Sequence, residues 1–163
     1  MRVNADIEIG APPSLVWETV SDPTRALHYM SGVTRWEVEG EQRNGLGARY
    51  RMLMRVGSAD IGGLIELVEW VDERDIAWTS VTGVDQRGRG RRRDNGDGST
   101  QVEFRLAYGV AGSGAFGWLA EQLAAPTVRG HLRRTLQQLK RQVEHEQLRE
   151  AAAARRAARA GAA

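Results

Sequence analysis

One apolar stripe decides what the rest of this chain has to do. Leu119, Leu123, Val128, Leu132, Leu136, Leu139 and Val143 follow one another at steps of 4, 5, 4, 4, 3 and 4 residues. That spacing puts them on one side of an α-helix of about seven turns. A stripe of that length cannot be left facing water, so the remaining residues must build a surface that covers it. The pattern predicts a helix from about Ala115 to beyond Val143, kinked near Ala124 because Pro126 lacks a backbone donor. Residues 146–163 have alanines and arginines but no stripe. They are expected to prolong the helix as a tail beyond a single domain of residues 1–145.

The covering surface reads as a sheet. Val3, Ala5, Ile7 and Ile9 alternate with polar residues, the period of a half-buried strand. Pro12 and Pro13 suit a first helical turn and Val16, Trp17 and Val20 recur at helical spacing. Asp22 followed by Pro23 then starts a second short helix. Strands resume at Val33, with Trp36 and Val38 on one face, and Ala48, Tyr50, Met52, Met54 and Val56 alternate in the clearest strand of all. Asn44-Gly45, Gly57-Ser58 and Asn95-Gly96-Asp97-Gly98 are turn signals between strands. In the apolar run from Ile61 to Val71, Glu66 and Trp70 fall on the same parity, a conflict that a bulge would resolve. The count reaches about seven hairpin-linked strands.

Composition removes whole classes of chemistry. The chain has no cysteine, so disulfides, thiolate metal sites and cysteine nucleophiles are excluded, and its only histidines are His28, His131 and His145. His131 and His145 are too far apart in sequence for a paired zinc motif, so no metal is expected. No phosphate loop, dinucleotide fingerprint or nucleophile elbow is present, and no organic cofactor is expected. No apolar run has the length of a membrane span and no leader is recognisable, which points to a cytoplasmic protein. Lys140 is the only lysine among 23 basic residues, an arginine bias that matches a GC-rich, actinobacterial-looking codon composition. Residues 1–125 carry net charge −4 and residues 126–163 carry +6, so the basic character belongs to the C-terminal helix. The arginine run Arg87 to Arg93 lacks interleaved aromatics, which argues against nucleic acid as a partner.

Strand, two short helices, six strands and one long helix is also the element order of a known group. Ile9-Gly10-Ala11-Pro12 before Val16-Trp17, then Ser21-Asp22-Pro23, Tyr29-Met30-Ser31-Gly32-Val33 and Gly62-Gly63 resemble the START-like, polyketide cyclase/dehydrase and lipid transport superfamily. The resemblance implies an α+β helix-grip fold, a curved seven-stranded antiparallel sheet wrapped around the long helix with an apolar cavity between them. It carries no common catalytic motif. At the sixth strand, relatives usually alternate apolar residues, whereas this chain reads Gly88, Gly90, Arg92. With alternation, two bulky plugs are absent, which predicts a roomier cavity with a guanidinium at its wall; the plainer alternative is a frayed or edge strand with solvated arginines.

The inward parities collect Trp17, Tyr29, Trp36, Tyr50, Met52, Met54, Trp78, Phe104 and Tyr108. Core packing accounts for each singly; together, rings with polar tips and flexible thioethers suit a ligand cavity better than a dry core. Leu119 and Leu123 complete the expected lining from the helix, and Glu66 is the expected partner of Arg92. His28, in the second short helix, is placed at the cavity mouth, or is simply a surface histidine. Two functions stay open. One is a polyketide cyclase, aromatase or dehydratase without metal or organic cofactor, in which Arg92, Tyr50, Tyr108 and His28 polarise ketones and move protons. The other is a non-catalytic carrier or sensor of a lipid, isoprenoid or similar hydrophobic small molecule. The expected assembly is a monomer or homodimer.

Overall fold

The computed structural model describes residues 1–109 and 114–161, with the backbone alone for residues 114–124. Strand β1 (Arg2–Ile9) is followed by α1 (Pro13–Ser21), a 3-10 turn (Pro23–Arg25) and α2 (Ala26–Tyr29). Then come β2 (Val33–Glu39), β3 (Arg49–Val56), β4 (Ala59–Val71), β5 (Asp75–Ser80), β6 (Asp85–Asp94) and β7 (Thr100–Gly109), and the chain ends in α3 (Gly114–Gly161). All pairings are antiparallel, and the strand order is β1-β7-β6-β5-β4-β3-β2. This is the helix-grip architecture that the sequence predicts. The Asp22 carboxylate accepts from the backbone N–H and the hydroxyl of Thr24 at 2.9 and 2.7 Å and caps the 3-10 turn. Those bonds hold its carboxyl below the usual carboxylate range.

β4 resolves its own parity conflict with a bulge. Its register against β5 shifts between Leu67 and Glu69, so that Val68 is extra and stands exposed. Ile65 and Leu67 face inward before the shift and Trp70 after it, while Glu66 is paired across the sheet with Arg49. Gly62 and Gly63 let the sheet bend sharply at the start of this strand. A Cβ on Gly62 would lie 2.1 Å from the Met52 carbonyl oxygen, and one on Gly63 would lie 2.0 Å from that of Thr82.

β6 is an interior strand between β5 and β7, which overturns the frayed-edge alternative. Gln86, Gly88, Gly90 and Arg92 are buried along one parity. The expectation of extra room above its glycines is also corrected. A Cβ at Gly88 would lie 2.0 Å from Trp78 Cζ2, and one at Gly90 would lie 3.3 Å from Phe104 Cζ. Neighbouring rings occupy the space that the missing side chains leave.

Two hydrophobic clusters form. One joins Val3, Ile9, Val16 and Val102 to the α3 residues Val128, Leu132, Leu136, Leu139 and Val143. The other gathers Ala48, Tyr50, Met52, Ile65 and Leu67 on β3 and β4 and the residue before them. Trp78 packs against both. α3 is thus seated mainly over β1, α1 and α2, and leaves part of the sheet between the clusters uncovered by tight packing. Beyond Val143 it runs on to Gly161, its residues 153–161 exposed. Among the described residues no helix is long and apolar enough to cross a membrane.

Candidate functional site

Between the two clusters lies a cavity of about 100 Å³, walled almost entirely by apolar atoms. The sheet contributes Val33, Trp36, Tyr50, Met52, Met54, Ile65, Leu67, Trp70, Ile76, Trp78, Gln86, Gly90, Arg92, Phe104 and Leu106. The segment from Val20 to Met30 forms the other rim, with Asp22, Ala26 and Tyr29, and α3 adds Leu132 and Thr135. Its free volume is below the roughly 150 Å³ of an apolar void that accepts benzene, so a larger guest enters only by displacing side chains. Met30, Met52 and Met54 are the flexible ones on the wall.

The cation of that lining is Arg92. It is 4% exposed, and its Nε and Nη2 have no hydrogen-bond partner among the described residues. Its Cζ lies 4.8 Å from the Trp17 ring centroid, and Trp17 in turn meets Trp70 edge-on at 4.9 Å. Burial pulls the guanidinium down to about 10, opposed by the nearby carboxylate of Asp75. At neutral pH it is a cation held in an apolar wall. Asp75 gives its carboxylate to Arg91 at 3.3 Å and Arg74 at 3.4 Å. Glu66, the expected partner, pairs instead with Arg49 at 2.7 Å and is absent from the cavity wall, because the bulge that turns Trp70 inward comes after it.

Tyr29, Trp36, Tyr50, Met52, Met54, Trp78, Phe104 and Arg92 are therefore brought together around one cavity. Other candidates are placed elsewhere. Trp17 stands behind Arg92 and supports its guanidinium without lining the cavity. Tyr108 is off this wall but beside it: it lines a smaller pocket with Met52 and Met54, and its carbonyl accepts from the Met1 amino group at 2.7 Å. His28 is exposed on α2 and does not reach the wall. Leu119 and Leu123 lie outside the residues whose side chains are described. Sequence reading missed Trp70, which the bulge turns inward, and Gln86, which shares the parity of Gly88, Gly90 and Arg92.

The polar atoms of the wall limit its chemistry. The Tyr50 hydroxyl donates to the Arg43 carbonyl at 2.7 Å, and burial pushes its phenol up to about 12. Burial also raises Tyr29, which is 2% exposed. Neither phenol exchanges a proton near neutrality. In the arginine run, Arg89 pairs with Glu69 of β4 and Arg91 with Asp75 of β5, so these guanidiniums are engaged by acids of the same sheet. Among the described residues no group of three His, Asp or Glu converges.

Residues 1–144 match the family of polyketide cyclase/dehydrase and lipid transport proteins. No curated protein matches the chain. Solved structures share the fold. TTHA0849 from Thermus thermophilus superposes with a TM-score of 0.76 at 24% identity, over 90% of this chain and 99% of that one. The ZhuI aromatase/cyclase from Streptomyces sp. R1128 gives 0.74 at 19% identity, over 88% and 93%. A START superfamily protein from Mycobacterium smegmatis gives 0.64 at 16% identity, over 88% and 97%. At these identities the likeness is one of fold.

Proposed function

The chain belongs to the polyketide cyclase/dehydrase and lipid transport family, and from that premise we propose that it binds an oxygen-bearing hydrophobic small molecule between sheet and helix, with an oxygen of the ligand held by Arg92. The observation that carries this reading is the guanidinium itself, nearly inaccessible to solvent yet with two of its nitrogens, Nε and Nη2, unpartnered among the described residues. A buried unpaired charge is expensive. A carbonyl or carboxylate oxygen entering the cavity would supply the missing acceptor, while rings and thioethers take up the apolar body. The ligand class is a polyketide, lipid or isoprenoid-like molecule.

Binding is favoured over proton-transfer catalysis by the state of the wall. Its tyrosines stay protonated at neutral pH, and the carboxylate of Asp22 is engaged by Thr24. A cyclase or dehydratase built here would rely on Arg92 to polarise a ketone and on shape to fold the chain, with the proton passed by the substrate or water. Native mass spectrometry of freshly purified protein, followed by extraction, tests the proposal. An apolar, oxygen-bearing adduct is expected, and its conversion during incubation would add catalysis. A protein that carries no adduct and takes up neither fatty acids nor polyketides would contradict it.

A further inference from the structure

We propose that the indole N–H groups of Trp36 and Trp78 are further recognition points of this cavity. Its ligand is then an apolar molecule with acceptor oxygens spread across it, of the diketone, quinone or ester kind, rather than a hydrocarbon with a single polar end. The proposal rests on the binding function above. Trp36 lies on β2 and Trp78 on β5, with β3 and β4 between them, and the register sets Trp78 four residues along the sheet from Trp36, so their backbones are offset by about 14 Å across the strands and about 13 Å along them at ordinary spacing. In both residues Nε1 is buried with no hydrogen-bond partner among the described residues. Buried indoles ordinarily find an acceptor.

The packing of each ring explains why neither turns to find one. Trp78 lies against the bare backbone of Gly88, where a Cβ would be 2.0 Å from its Cζ2, and its ring centroid is 6.0 Å from that of Phe104. Trp36 is stacked on Tyr50, with centroids 4.8 Å apart and planes 20° from parallel. These contacts fix the rings and leave the N–H groups unused. A phenyl ring could make the same contacts with no donor to satisfy. Together with Nε and Nη2 of Arg92, four orphaned atoms belong to residues of one cavity wall, and all four are donors. The complement of such a wall is a set of separated acceptors.

The test uses the full chain labelled with 15N, whose five tryptophans give resolvable indole signals. Those of Trp36 and Trp78 are assigned with Trp36→Phe and Trp78→Phe. The probes are 1,4-naphthoquinone and naphthalene, of nearly equal shape, with and without acceptors. The quinone is expected to bind at least tenfold more tightly and to move the Trp36 and Trp78 indole protons downfield, as naphthalene does not. Trp36→Phe should weaken the quinone severalfold more than it weakens naphthalene. Equal affinities, or quinone binding without movement of either indole proton, would overturn the proposal while leaving an apolar binding cavity in place. Binding of neither probe would overturn the binding function as well. The shifts are read on the unsubstituted protein, so they decide the matter even if Trp78→Phe does not fold.

Discussion

At position 88 the missing side chain is filled by a neighbour's ring. Gly88→Ala forces Trp78 off β6, whereas Gly90→Ala asks Phe104 to give only a few tenths of an ångström. Gly88→Ala is expected to cost about 2 kcal/mol in urea unfolding, an ordinary overpacking penalty, and Gly90→Ala clearly less. Equal costs would mean that Trp78 is free to move. The sequence pattern identified the parity of Gly88, Gly90 and Arg92 correctly but not its consequence. Alternation tells which face a residue is on and says nothing of which ring on the next strand fills the gap. Tyr50 yields a pH prediction. Its phenol titrates near 10 when unfolded and about 12 when folded, so the folded state keeps the proton longer and stability falls as pH rises across that interval. Tyr50→Phe should lose about 1 kcal/mol at pH 7 with its bond to the Arg43 carbonyl, and the deficit should shrink above pH 10. A deficit constant from pH 7 to 11 would contradict a raised phenol.

Among elements, α3 and β4 show opposite degrees of legibility. The helix was readable from its stripe because a 3.6-residue period needs no tertiary information. Leu136 and Leu139, at 1% and 0% exposed, are its buried centre. Without a bulge Glu66 would share the inward face of Trp70, but one extra residue in β4, Val68, changes the parity of the residues after it, and bulges leave no periodic trace. The difference between packed core and cavity wall can be measured. Leu136→Ala should cost about 3 kcal/mol, since it opens a void in tight packing. Met54→Ala, on the wall of a cavity that already exists, should cost less than half of that. A larger loss at Met54 would place it in closed core.

For the molecule as a whole, the design is a sheet and helix that pack tightly at one side and part at the other. The extension of α3 takes little part in it, although Glu146 still holds Arg25 at 3.2 Å. Ending the chain after residue 150 should change unfolding free energy by less than about 0.5 kcal/mol, the usual scale for exposed positions. Amides of residues 153–161 should exchange faster than those of 132–143, and the reverse order would show that something holds the extension. If Arg92 is kept buried for a ligand at the expense of stability, the cost and the benefit separate in Arg92→Leu, measured for thermal midpoint and for the Kd of 2-naphthoate, an apolar bicycle with one carboxylate. The midpoint should rise as a desolvated charge is replaced by an apolar side chain, and the Kd should weaken tenfold or more, about 1.4 kcal/mol. An unchanged midpoint with an unchanged Kd would make Arg92 a bystander.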